Sequence, residues 1–255
     1  MSLPLAGRCI LVTRPAAQSA ALAQGIRDAG GAAWLFPAIE IHPVSDAALA
    51  RKIDHLHEFD AAIFISPNAA QHGAAAVRAR RAFPSHLTVY ALGPGTAREL
   101  ARQGWPDATQ PDGQDSEALL ALPQLQLIAG QRIVIFRGVG GRAWLADTLK
   151  ARGAEVEYAE CYRRVRPEAD ATALLQQWAQ KSVHAVTITS AETLHNLAAL
   201  LGEDGANYLR ATPVFAPHEK IAEVARQFGI TQVMATAGGD AGLLSGLITW
   251  FQTHA

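Results

Sequence analysis

The sequence predicts an α/β protein built of two open, doubly wound parallel sheets, the second an internal duplicate of the first. Short apolar and β-branched runs alternate with amphipathic helical patterns along 255 residues, the alternation that places helices on both faces of a parallel sheet. The same segments recur in the same order halfway along the chain, the signature of a repeated structural unit. Each strand-like run also ends in a turn rich in Ser, Thr, Pro and Gly, as strand-to-helix connections require.

CILVTRPAAQSAALAQGIRDAGG (9–31) matches RIVIFRGVGGRAWLADTLKARGA (132–154). FDAAIFISPNAAQHGAAAV (59–77) matches VHAVTITSAETLHNLAALL (183–201), and TVYALGPGTARELARQGW (88–105) matches TPVFAPHEKIAEVARQFGI (212–230). GQDSEALLAL (113–122) matches GGDAGLLSGL (238–247). The pairs Arg14/Arg137, Ser66/Ser190, Pro94/Pro217 and Asp115/Asp240 lie 123, 124, 123 and 125 residues apart.

Within each repeat, ILV, AAIFI and VYAL predict buried strands, as do their counterparts IVIF, AVTI and TPVFA. Leu22, Ile26 and Ala29 share one helix face, as do Leu145, Ala146 and Leu149. Gly30 and Gly153 stand where those helices should stop. Each half has too few strands for a barrel, which leaves two open sheets. WLFPAIEIHPV (34–44) and VEYAECYRRVRP (156–167) run on past a strand, turn polar and end at proline. They predict a pair of extended connectors between lobes, so that repeat boundaries need not be domain boundaries.

Composition excludes several classes. The formal net charge is −1, with 49% hydrophobic and 18% charged residues. No global basic field exists to hold nucleic acid or an anionic membrane, and an anion has to be bound locally by a few Arg side chains and helix N-termini. No run of about 20 apolar residues predicts a membrane span, and the apolar run in MSLPLAGRCILV is too short for a signal peptide. Cys9 and Cys161 have no metal or redox spacing. The expectation is a cytoplasmic protein with reduced thiols and no metal or cofactor, a monomer by default.

In open α/β sheets ligands bind outside the carboxyl ends of the strands, so the candidate site residues come from six strand-to-helix turns. The first repeat offers Thr13 and Arg14, Ser66 and Asn68, and Gly93, Gly95 and Thr96. The second offers Arg137, Gly138, Gly140 and Arg142, then Ser190 and Ala191, then His218. Taken singly these are also helix caps: Ser66-Pro67 is a cap followed by proline, Thr96-x-x-Glu99 and Thr189-x-x-Glu192 fit capping boxes, and Asp115 and Asp240 precede helices. Facing one cleft, six such ends would present many amide donors to an anion. Gly138-x-Gly140-x-x-Ala143 also fits a relaxed dinucleotide fingerprint, with Glu155, Glu157 and Glu160 near the place of a ribose-binding acid. The matching loop TRPAAQSA has no glycine, which weighs against that alternative.

LVTRP (11–15), FPAIEI (36–41), FISPNA (64–69), ALGPGTA (91–97), DSEALL (115–120), FRGVGGR (136–142), GAEVEYAECYRR (153–164), TSAETL (189–194) and PHEKIAEVA (217–225), in this order and spacing, resemble the uroporphyrinogen-III synthase family over nearly the full length. The resemblance implies two flavodoxin-like domains, one of residues 1–37 plus 167–255 and one of residues 44–157, joined by linker strands 38–43 and 158–166. It implies a lyase that cyclises the small-molecule substrate hydroxymethylbilane with loss of water and inversion of the terminal pyrrole ring, held in the interdomain cleft. It implies substrate-facing roles for Ser66, Thr96 and Ser190, and it makes Tyr162 the candidate general acid, since a phenol can donate a proton without being ionised near neutral pH. The chain departs from the pattern at Ala216-Pro217-His218-Glu219, where the first repeat keeps Gly93 and Gly95. A non-catalytic two-lobed module that binds a tetrapyrrole or another polyanion remains the alternative.

Overall fold

The computed structural model describes residues 3–113 and 115–254. The chain begins with β1 (Cys9–Val12), α1 (Ala20–Asp28), β2 (Ala32–Leu35) and β3 (Glu40–Pro43). There follow α2 (Ala47–Asp54), β4 (Ala61–Phe64), α3 (Pro67–Arg78), β5 (Thr88–Ala91), α4 (Pro94–Arg102) and α5 (Ser116–Leu120). The second half runs through β6 (Arg132–Gly138), α6 (Trp144–Ala151), β7 (Glu155–Val165), α7 (Thr172–Ala179) and β8 (Ala185–Thr187). It ends with α8 (Ala191–Ala211), β9 (Val214–Ala216), α9 (Glu219–Gln227), β10 (Val233–Ala235) and α10 (Gly239–Thr253).

The chain divides into two compact units, Met1–Glu40 with Val165–Ala255, and Ile41–Arg164. The first unit holds a five-stranded sheet in the order β10-β9-β8-β1-β2, with parallel pairing throughout. Side chains alternate across it as strand geometry demands. Ile10 and Val12 pack with Leu22 and Ile26 of α1 and Leu247 of α10, while Leu11 packs on the other face with Leu174 of α7, Leu197 of α8 and Ala222 of α9. The second unit holds the order β3-β7-β6-β4-β5, in which β4, β5, β6 and β7 run parallel. Ile133 and Ile135 face Leu145 and Leu149 of α6, while Val134 and Phe136 face Ala70 and Val77 of α3 and Leu100 of α4. Covering both faces of each sheet satisfies the otherwise near-continuous apolar strands. The fold is therefore α/β with parallel sheets.

Local signals decide where elements stop. Gly30 and Gly153 both have φ of +87° just past α1 and α6, the left-handed turn that lets the chain return to the sheet. Ser66 caps α3, accepting from Ala69 N–H at 3.0 Å, with Pro67 in the first turn. Asp115 caps α5, accepting from Ala118 N–H at 2.8 Å. The two expected capping boxes do not form. Ser190, not Thr189, caps α8 by accepting from Thr193 N–H at 3.0 Å, and Thr96 lies inside α4, whose N-cap is Gly93. Asp240 lies in the first turn of α10 and makes no cap, because its carboxylate is paired with Arg14. Both connectors of the sequence reading are extended strand: β7 runs unbroken past residue 158 to Val165, and β3 is its edge neighbour in the second sheet.

Close packing of α3 on the second sheet needs a glycine. Phe64 and Phe136 sit opposite each other in adjacent strands and stack at 4.5 Å between ring centroids. A β-carbon on Gly73 would stand 2.7 Å from Phe136 Cδ1 and 3.1 Å from Phe64 Cε1. Gly73→Ala would gain about 1 kcal/mol of helix propensity and lose about 1–3 kcal/mol to overpacking. The expected outcome is net destabilisation, read as a lower thermal unfolding midpoint.

Candidate active site

Each sheet has a point where its strand order reverses along the chain, and ligands of open sheets collect at the carboxyl ends there. In the first unit the chain moves from β1 outward to β2, then from β8 to β9 and β10 on the other side, so the reversal lies between β1 and β8. In the second unit β4 leads to β5 and β6 leads to β7, so the reversal lies between β4 and β6. Thr13, Arg14 and Ser190 stand at the first reversal, and Ser66, Asn68, Arg137 and Gly138 at the second.

The second of these holds the most developed geometry. Tyr162 is 2% exposed, and its hydroxyl shares a hydrogen bond with Ser66 Oγ at 3.2 Å. Its ring lies against the backbone of Gly138, where an added β-carbon would sit 2.8 Å from Cζ and 3.1 Å from the hydroxyl oxygen. The His72 ring of α3 lies 5.9 Å from the Tyr162 ring, and Arg164 Cζ lies 6.0 Å from it. Burial pushes the His72 imidazole below its ordinary pKa.

A β-bulge creates this arrangement. Arg137 pairs with Glu160, but the next residue, Gly138, pairs with Tyr162, so β7 carries an extra residue, Cys161, between them. In a regular strand Cys161 and Tyr162 would point to opposite faces. Here both are buried in the cluster that contains Ala69 and Ala70 of α3. The bulge turns Tyr162 onto the α3 face, where Ser66 begins the helix. Cys161 is locked beneath it: Sγ–H donates to Arg137 O at 3.4 Å, and burial pushes the thiol up to about 12. It is a packing residue, inert as a nucleophile.

Arg137 is 4% exposed. Nε donates to Gly138 O at 3.1 Å, Nη1 to Arg142 O at 3.3 Å, and the guanidinium lies 4.5 Å over the Tyr158 ring. It braces the 138–142 loop from inside, whereas Arg142 is exposed on it. Gly140 and Gly141 take φ of +75° and +97°, and Gly140 N–H donates to Glu160 Oε1 at 3.1 Å. A carboxylate of the protein thus occupies the loop amide that a dinucleotide pyrophosphate would need. The following helix starts only at Trp144, a further departure from the dinucleotide arrangement, in which the glycine turn opens directly into a helix.

Four of the six turns lead straight into a helix: β4 to α3, β5 to α4, β8 to α8 and β9 to α9. Gly93 and His218 are N-caps without a side-chain cap hydrogen bond, so the first-turn amides of α4 and α9 lack the cap acceptor that Ser66 and Ser190 supply to α3 and α8. Gly95 and Ala191 lie in such first turns, and Thr96 is buried behind Gly95. Asn68 is half-buried in the first turn of α3 and His218 is exposed. Thr13 is fully buried and its hydroxyl donates to Thr187 O at 2.6 Å, which commits it to the sheet rather than to a ligand. Arg14 is engaged through one nitrogen: Nη1 donates to Asp240 Oδ1 at 2.5 Å, while Nε and Nη2 are buried with no hydrogen-bond partner among the described residues. The sequence reading passes over His72 and gives Glu160 and Asp240 other roles, a ribose-binding acid and a helix cap, where the structure pairs them with Gly140 N–H and Arg14. Only a register shift and long-range pairing bring them to the site residues, and neither leaves a local pattern. Among the described residues no group of His, Cys, Asp and Glu is arranged to hold a metal, and no helix is long and apolar enough to cross a membrane.

The Arg14–Asp240 pair gives an asymmetric expectation. Asp240→Ala leaves a mostly buried guanidinium uncompensated and should cost about 2–4 kcal/mol. Arg14→Met leaves only a partly exposed carboxylate behind and should cost less. Urea denaturation of both variants checks the order; a larger loss in Arg14→Met would contradict it.

A family model described as uroporphyrinogen-III synthase HemD matches residues 20–245. A uroporphyrinogen-III synthase of Salmonella typhimurium is 35% identical over 235 residues, covering 91% of this chain and 96% of the relative. One of Escherichia coli is 34% identical over the same length and coverage. The crystal structure of a mutant uroporphyrinogen III synthase of Thermus thermophilus superposes with a TM-score of 0.63 at 17% identity, covering 96% of this chain and 98% of that one. It shares the fold.

Proposed function

The chain belongs to the uroporphyrinogen-III synthase family, and on that premise we propose that it is a cofactor-independent lyase that closes hydroxymethylbilane to uroporphyrinogen III. The pyrrole nitrogen lone pair expels the terminal hydroxyl as water and leaves an azafulvene. The last pyrrole attacks through its substituted carbon, forming a spiro intermediate that fragments and recloses in the inverted sense. Unguided closure at the unsubstituted carbon gives the symmetric type I isomer. The protein's task is therefore to hold one ring geometry and assist departure of water.

The single observation that carries the reading is the placement of the Tyr162 phenol. It sits at the strand-order reversal of the second sheet, 3.2 Å from the Ser66 hydroxyl, on a family match that spans both residues. In this role Tyr162 donates its proton to the leaving hydroxyl. The first-turn amides of α4, in the same unit as Tyr162, donate to substrate carboxylates, and Arg142 adds a full charge at the 138–142 loop. Arg137 acts through that loop by bracing it.

We read the chain as an internal duplication, with β3 and the end of β7 as the two linker strands. What supports it is order. The run β2-β1-β8-β9 corresponds, repeat for repeat, to β7-β6-β4-β5. Thr109 bridges Tyr90 of β5 in parallel where β10 lies beside β9. On this reading the first strands of the two repeats have exchanged sheets. The reading keeps a cytoplasmic monomer that needs no macromolecular partner.

The test supplies freshly generated hydroxymethylbilane and resolves the porphyrin isomers after oxidation. The expected product is type III well above the spontaneous type I background; type I alone would sink the proposal. Tyr162→Phe is expected to lower kcat about tenfold or more with an unfolding midpoint close to that of the unaltered protein, and an unchanged rate would remove Tyr162 from the chemistry.

A further inference from the structure

We propose that Gly138 and Ser66 are positioning residues for the Tyr162 phenol, Gly138 by vacating the space the ring fills and Ser66 by donating its hydroxyl proton to the phenol oxygen. The proposal rests on reading Tyr162 as the acid, and it assigns Gly138 and Ser66 a role different from substrate contact.

Gly138 does not lie in the left-handed backbone region, unlike Gly140 and Gly141 beside it. Backbone strain gives no reason for glycine there. The reason is steric: an added β-carbon would meet Tyr162 Cζ at 2.8 Å, Cε2 at 2.9 Å and the hydroxyl at 3.1 Å, all closer than van der Waals contact. These three atoms form the reactive end of the ring. The missing side chain therefore seats the hydroxyl, not merely the aromatic body, and any larger residue must push it off Ser66.

Ser66 is held from its other side. Its Oγ accepts from Ala69 N–H at 3.0 Å at the start of α3. One lone pair is thus fixed by the helix, and the hydroxyl proton is free to point at Tyr162, 3.2 Å away. Donation in that sense leaves the phenol proton available to the substrate. As that proton passes to the departing hydroxyl, the C–O bond breaks, water leaves, and the phenol oxygen becomes anionic. It then accepts the Ser66 hydrogen bond at the positive end of α3. The proton returns to Tyr162 when the closing pyrrole loses its α-hydrogen, so the enzyme is restored and no co-reactant is needed. The His72 ring, 5.9 Å away, flanks the same phenol.

The test is a pair of mutant cycles on kcat for hydroxymethylbilane, with thermal unfolding in parallel. Ser66→Gly keeps an acceptable helix cap but removes the hydroxyl, and Ser66→Thr keeps both. Ser66→Gly and Gly138→Ala are each expected to lower kcat about tenfold with KM changed less than about twofold. Ser66→Thr should restore the rate. In a Tyr162→Phe background, where no hydroxyl remains to position, neither substitution should lower kcat further. Equal losses in both backgrounds would overturn the proposal, since they would mark Ser66 and Gly138 as substrate contacts or structural residues. Full rates for Ser66→Gly and Gly138→Ala with an impaired Tyr162→Phe would overturn the positioning and leave the acid standing. A full rate for Tyr162→Phe itself would overturn the acid reading first. If Gly138→Ala fails to fold, the Ser66 cycle alone decides.

Discussion

The phenol of Tyr162 lies over Gly138 because β7 carries one residue more than β6 at that point. The bulge does three things at once. It lets Cys161 and Tyr162 enter the same apolar cluster, it ends regular pairing at the carboxyl edge of the sheet, and it aims a polar group toward the first turn of α3. A bulged strand is locally more twisted and less well paired, and here the cost is offset by burial of both side chains. The loop beyond Gly138 depends on the same point, since Val139 N–H donates to Tyr162 O at 2.8 Å and Arg137 braces the turn from beneath.

Charge explains how a nearly neutral chain can act on a polyanion. With a formal net charge of −1, long-range attraction has little to offer. On the proposed reading, binding rests instead on backbone amides at helix starts, which cost no extra charge to keep in the protein. The side-chain cations divide into two kinds. Arg14 and Arg137 are nearly buried and already engaged, by Asp240 and by backbone carbonyls. Arg142 is exposed and can meet a ligand. Electrostatic order within each unit is thus built in before any substrate arrives, which is what preorganised catalysis needs.

Much of the fold was legible in the sequence, because the determining signals are local. Gly30 and Gly153 stop their helices with the same φ of +87°, and Ser66-Pro67 opens α3 as a cap and first-turn proline should. Alternation failed where geometry is set by distant partners. Thr189 and Ser190 are adjacent and both residue types can cap, and the structure uses Ser190, whose backbone is extended where α8 begins. Asp240 resembles a cap until Arg14, 226 residues away, claims its carboxylate. Gly138 reads as an anion-binding glycine because it opens a glycine loop, yet its neighbour is an aromatic ring brought by a register shift. Tyr162 stands out only through family resemblance; strand periodicity alone turns it to the wrong face.

The central claim is that the buried phenol supplies the proton on which water leaves. A bilane whose hydroxyl is replaced by an alkylammonium group loses that group as a neutral amine, without needing the phenol's proton, and keeps the same pyrrole rings and carboxylates. Single-turnover rates of the unaltered protein and of Tyr162→Phe on both substrates measure the claim directly. The account predicts that Tyr162→Phe slows hydroxymethylbilane closure about tenfold or more and leaves closure of the alkylammonium bilane nearly unchanged. An equal slowing of both would contradict it, and would make Tyr162 a residue that shapes the folded bilane and not one that protonates it.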